Sequence, residues 1–249
     1  MQQFKFHRKD LNLFGEHHVN MVYDQARFSQ FIQRPFSLDA FSEQIEDKSK
    51  EFTFEKREVL VAALKNQYSN VKSNENTITL IESLARENVF TVTTGHQLSL
   101  FTGPLFFVIK ILQVIKQAEK LNIQFPEKKF VPVYWMATED HDFEEIQKAN
   151  VFSDELIWNS SQEGPVGRFD IDGLEVVKGR ISELYANNPE SEIHALIKEY
   201  SGKNLTEAMR NLVHSLFQDF NLVIIDGDDA ALKSVFAPIM KKELETSFS

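Results

Sequence analysis

The clearest pattern of apolar and polar positions in this chain lies between residues 89 and 142. Residues 89–93 (VFTVT) are β-branched or aromatic and precede a glycine closely, which predicts a short buried strand. From Leu105 to about Leu121, apolar residues recur at helical spacing, with lysine and glutamine on the other face. Residues 130–137 form a second apolar run, which predicts a strand buried on both faces and beginning near Pro132.

The predicted helix carries its own start signal. Thr102 or Gly103 is expected to be the N-cap, with Pro104 in the first turn, where a missing N–H is harmless. A strand, a helix and a strand of these lengths predict a right-handed parallel crossover. Ligands bind such sheets beyond the carboxyl ends of the strands. We therefore expect residues 94–97 and 139–142, which follow the two strands, to face one crevice.

The rest of the chain predicts helices before this unit and a mixed pattern after it. A third buried parallel strand is expected at residues 222–225 (LVII), ending at Asp226. The helical stretch 230–245 has no closing element after it, so we expect a truncated chain with an incomplete sheet. The other expected elements are helices over 38–50, 54–70, 77–88, 181–185, 193–200 and from 205, and short strands at 151–152 and 156–158.

These segments predict four parts. They are a helical N-terminal layer (1–88), the first βαβ unit of the core (89–149), an insertion (150–204), and a return to the core through a helix, a strand and a helix (205–249). The expected fold class is α/β with a parallel sheet.

Composition and charge argue against several classes of function. The chain has 27 Lys and Arg against 37 Asp and Glu, a net charge of −10, which disfavours binding to nucleic acid. It has no Cys, so it offers no thiolate nucleophile and no Cys-based zinc site. The N-terminus lacks a secretory apolar segment, and the most apolar helix carries Lys110 and Lys116. We therefore expect a cytoplasmic protein without a membrane partner.

Several motifs carry a resemblance to a known family. They are TGHQLSLFTGPL at 94–105, VPVYW at 131–135, EDHDFEE at 139–145, GPVGR at 164–168 and LVIID at 222–226. With these motifs in this order, the chain resembles the bacillithiol biosynthesis cysteine-adding enzyme family over nearly its whole length. The resemblance implies a Rossmann-like core with a connecting-peptide insertion at 150–204. It also implies that this chain is the N-terminal half of a longer protein.

The resemblance further implies an activity. Members of this family join L-cysteine to the amine of glucosaminyl malate, so we expect a carbon–nitrogen ligase with these two substrates. ATP or ADP is the expected cofactor, with Mg²⁺ as a candidate companion, although no Gly-rich phosphate loop in the sequence indicates a nucleotide independently. A coiled coil in the missing half is expected to make the full-length protein a homodimer.

The first polar cluster predicts an anion-binding site. Thr94, Gly95, His96 and Gln97 follow the first strand and Gly103 precedes the helix, so backbone N–H groups and the positive helix end would face a phosphate or carboxylate. His96 and Gln97 would add side-chain donors. The alternative is a packing or capping role at the strand end.

The second cluster predicts catalytic groups. Glu139, Asp140, His141 and Asp142 place four ionisable side chains after a buried strand, which is costly unless solvent, a ligand or a metal uses them. Crowding is expected to raise the pKa of one carboxyl and create a base for the attacking amine. Alternatively, they cap the next helix at a solvated strand end. Asp226 is expected to bind a ribose hydroxyl or the substrate amine, or else to be a turn residue.

Two other functions are compatible with the sequence. A metal-dependent hydrolase would use His96 and His141 with neighbouring carboxylates, but the residues lack metal-motif spacing, and no dedicated metal site is predicted. A non-catalytic binding unit for a nucleotide or substrate would need the missing half to complete its active site.

Overall fold

The computed structural model describes residues 4–35, 37–69, 71 and 75–247, and divides the chain into two compact units, 1–51 and 52–249. The first unit contains helices α1 (Glu16–Tyr23) and α2 (Ala40–Glu51), with short 3₁₀ helices at Arg8–Leu11 and Gln25–Phe28. Arg34 fastens the segment before α2, because its guanidinium donates hydrogen bonds to Glu43 and Gln44 on that helix.

The second unit is built around a parallel sheet. Its elements are α3 (Phe54–Gln67), α4 (Glu75–Ser83), β1 (Val89–His96), α5 (Phe106–Gln124), β2 (Lys129–Met136), α6 (Phe143–Ile146), β3 (Lys148–Val151), β4 (Asp154–Ile157), α7 (Leu174–Leu184), α8 (Ile193–Glu199), α9 (Leu205–Leu216), β5 (Val223–Asp226) and α10 (Ala230–Thr246). Strands β1, β2 and β5 pair in that order, and both pairings are parallel. The predicted α/β class with a parallel core is therefore confirmed. The predicted end of a helix at Asn70 lies outside the described residues.

Strand β2 lies in the middle of the sheet and is mostly buried, as its continuous apolar run predicts. Its start differs from the prediction, because β2 begins at Lys129 and Pro132 is its fourth residue. Proline is tolerated there because pairing with β5 begins only at Val133. At Pro132 the strand therefore pairs only with β1 among the described strands, so the missing N–H does not interrupt a second ladder.

Side chains on β2 and β5 alternate between two apolar layers, as the strand period requires. Tyr134 and Ile224 belong to a layer that also contains residues of α5 and α9. Val131 and Val223 point into the other layer, which α3 and α4 cover. The predicted domain boundaries at 88, 149 and 204 stay predictions. No helix in the described part of the chain has the length and apolar character needed to cross a membrane.

The segment after the second strand folds as a hairpin followed by helices. Strands β3 and β4 pair antiparallel, a few residues earlier than the sequence predicts. Phe152, predicted in a strand, has a φ of 56° and forms the turn between them. Helix α7 begins at Leu174, well before the predicted start, because the buried side chains of Leu174, Val177 and Ile181 already recur at helical spacing.

Candidate active site

Three strands of the sheet end together at one edge. The register places His96 of β1 beside Met136 of β2, and Met136 beside Asp226 of β5. The residues that follow these strands therefore start from the same edge, which is where parallel α/β sheets bind ligands. The polar clusters after β1 and β2 are in direct contact, since Gln97 is hydrogen bonded to Asp140.

Gln97 bridges two carboxylates. Its side-chain nitrogen donates to Asp140 Oδ2 at 2.9 Å and to Glu145 Oε2 at 2.7 Å. An amide group has two N–H hydrogens, and both are used here. Gln97 thus holds Asp140 and Glu145 in place, whereas the sequence predicts that it donates to a bound anion.

Asp140 is stabilised in its charged form. The hydrogen bond from Gln97 is the main cause that lowers the pKa of Asp140, and the backbone N–H groups of Asp142 and His141 add to it. The expected rise in the pKa of a crowded carboxyl therefore does not occur at Asp140. Asp142 takes the capping role that was the alternative, because its Oδ1 accepts from the backbone N–H of Glu145 at the start of α6.

His96 has one ring nitrogen engaged and is half-buried. Its Nδ1 lies 3.0 Å from the carbonyl oxygen of Gln97, which can only accept, so Nδ1 carries the hydrogen in the neutral ring. The second nitrogen, Nε2, is then an acceptor that a ligand can use. The ring lies against Phe107 and Phe106, with centroids 5.2 and 6.2 Å away. Lys110 also reaches this strand end, because its Nζ donates to the Gly95 carbonyl.

The loop between β1 and α5 is more tightly wound than the sequence predicts. Phe101, Thr102 and Gly103 all have positive φ, at 49°, 75° and 60°. Such values are unusual for a β-branched residue, so the position of Thr102 is strained. The predicted N-cap at Thr102 or Gly103 is wrong, because α5 begins at Phe106 and its N-cap is Leu105, without a side-chain cap. At Gly103 a Cβ would lie 2.6 Å from Ser99 Cβ, so only glycine fits.

Glu139 has a carboxylate that is only partly satisfied. Its Oε1 accepts a hydrogen bond from the indole of Trp135 at 3.3 Å. Its Oε2 is buried and has no hydrogen-bond partner among the described residues. Gly227 lies against it, since a Cβ there would be 2.2 Å from Oε2. A buried carboxylate oxygen without a donor is costly, so Glu139 is suited to accept a hydrogen bond from a ligand.

Asp226 is hydrogen bonded to Thr138, which follows β2, and to Gln67 of α3. Its Oδ1 accepts from Thr138 Oγ1 and from the backbone N–H of Asp228. Its own N–H donates to Gln67 Oε1 at 2.9 Å. Gln67 lies on α3 and also donates to Asp229, 162 residues away in the sequence. The sequence does not single out Gln67, because no local pattern marks a contact of that separation.

The Asp228 carboxylate forms ion pairs with two cations. Arg168 and Lys233 both pair with its carboxylate, whose side chain is only 9% exposed. Burial alone would raise the pKa of Asp228, but the hydrogen bonds from these cations outweigh it and lower the pKa. The sequence prediction missed both cations as site residues, although Arg168 closes the GPVGR motif. That motif was the available signal.

The remaining predicted residues are less constrained. Gly95, His141 and Asp142 are exposed, and Thr94 is half-buried. Across the described ranges, no group of three or more His, Cys, Asp or Glu side chains is arranged to hold a metal ion. The ligand set that a metal-dependent hydrolase needs is therefore not assembled from these residues.

Comparisons with known proteins agree with this fold. A family model described as bacillithiol biosynthesis BshC, N-terminal Rossmann-like domain, matches residues 7–249. A relative from Flavobacterium johnsoniae, which carries the provisional name cysteine ligase BshC, is 45% identical over 86% of this chain and 41% of its own length. Relatives of the same name are 45% identical in Flavobacterium psychrophilum and 43% identical in Cytophaga hutchinsonii, over 84% and 76% of this chain and 40% and 35% of their own lengths.

The chain thus spans about two fifths of the length of the two Flavobacterium relatives, 41% of one and 40% of the other. The match covers the three strands and the polar residues at their ends, and the parallel sheet agrees with the Rossmann-like domain that the family description names. The chain belongs to the bacillithiol biosynthesis BshC family and corresponds to its N-terminal Rossmann-like domain.

Proposed function

We propose that this chain forms the substrate-binding and catalytic edge of a ligase that adds L-cysteine to the amine of glucosaminyl malate. Family membership supports a role in bacillithiol biosynthesis. The structural observation that carries the proposal is Glu139 at the carboxyl edge of the sheet, whose buried Oε2 has no hydrogen-bond partner in the described part of the chain. An amine or ammonium group supplies the donor that this oxygen lacks.

The proposed reaction forms one bond and breaks another. The amine nitrogen attacks the activated carboxyl carbon of cysteine, a C–N bond forms, and the bond from that carbon to the activating group breaks. The departing group takes the electron pair, and the amine releases a proton to a carboxylate. We assign this proton to Glu139 in preference to Asp140, because hydrogen bonds lower the pKa of Asp140 and make it a poor base.

A nucleotide, when bound, would supply the activation of the cysteine carboxyl. The residues proposed to hold it are Thr94, Gly95, His96 and Gly103 at the end of β1 and the start of α5. Two observations support the fit. Gly95 is exposed, and the nearest atoms would lie 3.8 Å from a Cβ added there. The hydrogen bond of His96 to the Gln97 carbonyl uses Nδ1 and leaves Nε2 to face a ligand. Asp226 accepts its side-chain hydrogen bonds from the described residues at Oδ1, so Oδ2 is proposed to bind a ribose hydroxyl. Mg²⁺ would come with the phosphates and one or two carboxylates.

The test is a substitution of Glu139 in the full-length protein that contains this chain. Conversion of cysteine and glucosaminyl malate is followed by mass spectrometry, with and without ATP. We expect ATP-dependent product, and a loss of about a hundredfold or more in rate for Glu139→Gln, because a positioned base contributes that much. No product under any condition would refute the proposal.

A matched control distinguishes catalysis from general charge loss. Glu119→Gln removes a carboxylate from the far half of α5, where Glu119 pairs with Lys116. We expect the Glu119 variant to keep full activity. Gln97→Ala and Asp142→Asn should each lower activity while the thermal midpoint stays within a few degrees. For Asp142→Asn the midpoint is kept because Asn still caps α6. Loss of folding in both would favour the capping alternative.

The short coverage of the relatives supports a second candidate, a binding unit that needs the rest of the protein for turnover. Adding the C-terminal half of the full-length protein in trans would then restore activity that this chain lacks. Turnover by the chain alone at the full-length rate would eliminate this candidate. The homodimer through a C-terminal coiled coil and the cytoplasmic location stay predictions.

A further inference from the structure

Two cations converge on the end of β5, beside the proposed active site. Arg168 Nε lies 2.5 Å from Asp228 Oδ2, and Lys233 Nζ pairs with the other oxygen. The Asp228 side chain is almost covered, whereas those of Arg168 and Lys233 are 67% and 47% exposed. Two positive charges therefore share one negative charge and face solvent at this strand end.

The backbone that carries Arg168 is fixed to the sheet edge. Val166 N donates to the Asp140 carbonyl at 2.7 Å, and Gly167 N donates to the Thr138 carbonyl at 3.0 Å. Thr206 Oγ1 on α9 donates to the Gly167 carbonyl at 2.8 Å. A Cβ added at Gly167 would lie 2.5 Å from Thr206 Oγ1, so the close approach of these two segments requires glycine. The position of Arg168 is thus set by the strand end that carries the predicted catalytic cluster.

The guanidinium of Arg168 keeps most of its donors free. Within the part of the chain that the structure describes, it donates only through Nε, to Asp228. A guanidinium has five N–H donors in a planar fork, so the edge formed by the two terminal nitrogens remains available. This edge matches the two oxygens of a carboxylate or phosphate. In a chain of net charge −10, an exposed pair of cations is a distinctive place for an anion.

We propose that Arg168 and Lys233 bind an anionic group, a carboxylate or a phosphate, of the ligand that occupies this edge of the sheet. Asp228 holds the two cations in position, and these three side chains together carry one net positive charge. The nearby Asp226 carboxylate partly offsets that charge at Arg168. The inference rests on the proposed function for its two candidate sources. These are the malate carboxylates of glucosaminyl malate and the phosphates of a nucleotide.

The test is calorimetric titration of the full-length protein with L-malate and, separately, with ADP. We expect Arg168→Gln to weaken the binding of one of these probes at least tenfold, and Lys233→Gln to weaken the same probe. Arg168→Lys should give an intermediate loss, because it keeps the charge but not the fork. The probe affected identifies the source: malate the sugar substrate, ADP the nucleotide.

Arg180→Gln is the matched control. Arg180 is similarly exposed and bridges Asp154 and Glu183 on the β3–β4 hairpin and α7, so both probes should bind its variant as they bind the wild type. Circular dichroism establishes that each variant is folded, and Arg168→Lys serves if Arg168→Gln is not. The inference is overturned if neither probe binds the wild type at millimolar concentration, or if Kd is unchanged in both Arg168 variants.

This outcome is independent of the ligase assay. Ligase activity with unchanged probe binding in the variants would refute the anion site and leave the proposed function intact. Arg168-dependent binding without ligase activity would support the anion site and refute the proposed function.

Discussion

A methyl group added at Gly227 should disrupt the contact between β5 and Glu139. The new Cβ would lie 2.2 Å from Glu139 Oε2, 2.6 Å from Trp135 Nε1 and 2.8 Å from the Met136 carbonyl oxygen. Carbon and oxygen atoms normally approach to about 3.3 Å at the closest, so the carboxylate must move by about 1 Å. The Met136 oxygen belongs to the backbone of the middle strand and can yield less.

Overpacking of this kind costs about 1–3 kcal/mol, and the lower entropy of unfolded alanine offsets about 0.4–1 kcal/mol of it. We therefore expect Gly227→Ala to lower the free energy of unfolding by about 1–2 kcal/mol. Gly95→Ala is the control, because Gly95 also ends a strand but its nearest neighbours would lie 3.8–3.9 Å from the added carbon. It should be neutral or stabilising by up to about 1 kcal/mol.

Urea unfolding of the chain, followed by circular dichroism, measures both variants, and Trp135 fluorescence reports on the displaced carboxylate. The difference between the two variants should be about 2 kcal/mol. If Gly227→Ala unfolds at the same urea concentration as the wild type, Glu139 is not held against Gly227 as described. Equal destabilisation by Gly95→Ala would show that backbone freedom, and not the clash, is responsible.

Three further predictions concern stability. Burial lowers the pKa of His214 from 6.5 to about 4, so below pH 6.5 the unfolded chain binds a proton that the folded chain does not bind. The free energy of unfolding should therefore fall by up to roughly 3 kcal/mol between pH 6.5 and 4. Urea titrations at several pH values measure this fall, and His214→Phe should remove it. Arg57→Met should cost about 2–4 kcal/mol by thermal or urea unfolding, because it leaves the buried carbonyls of Leu84 and Val89 without their donor; an unchanged midpoint would contradict this. Asp229→Ala should cost about 1 kcal/mol by removing the cap of α10, whereas Asp229→Asn should retain most of the stability.

The hydrophobic pattern predicted the elements whose burial is set by their own period. Strands β1, β2 and β5 and helix α5 occur close to the expected residues, because each must cover one or two faces of the sheet. The common edge also followed, since a parallel crossover places consecutive carboxyl ends side by side. The predicted first residues of α5 and β2 were less accurate. Thr102 does not cap the helix despite its capping preference, because it lies in a strained left-handed turn and α5 begins only at Phe106.

The sequence predicted which strand ends come together, but not the contacts that the residues there make. The residue types after each strand indicated polar chemistry, but Gln97 proved to be a bridge between two carboxylates and not a free donor. The pKa of Asp140 is lowered where crowding alone suggested a rise, because the hydrogen bonds from Gln97 and from two backbone N–H groups outweigh the effect of burial. Neither result depends on residue type alone.

The sequence by itself determined the strand and helix periods, the acidic charge, the absence of cysteine and the family motifs, because these are local or compositional properties. Tertiary structure decided which polar groups are satisfied. The hydrogen bond from Gln67 to Asp229 and the ion pair of Arg168 with Asp228 join segments that are distant in the sequence. The Glu139 oxygen, which has no partner among the residues that the structure describes, is likewise enclosed by a distant segment at Gly227. Such contacts depend on the packing of whole elements, and a linear pattern records only the period of each one.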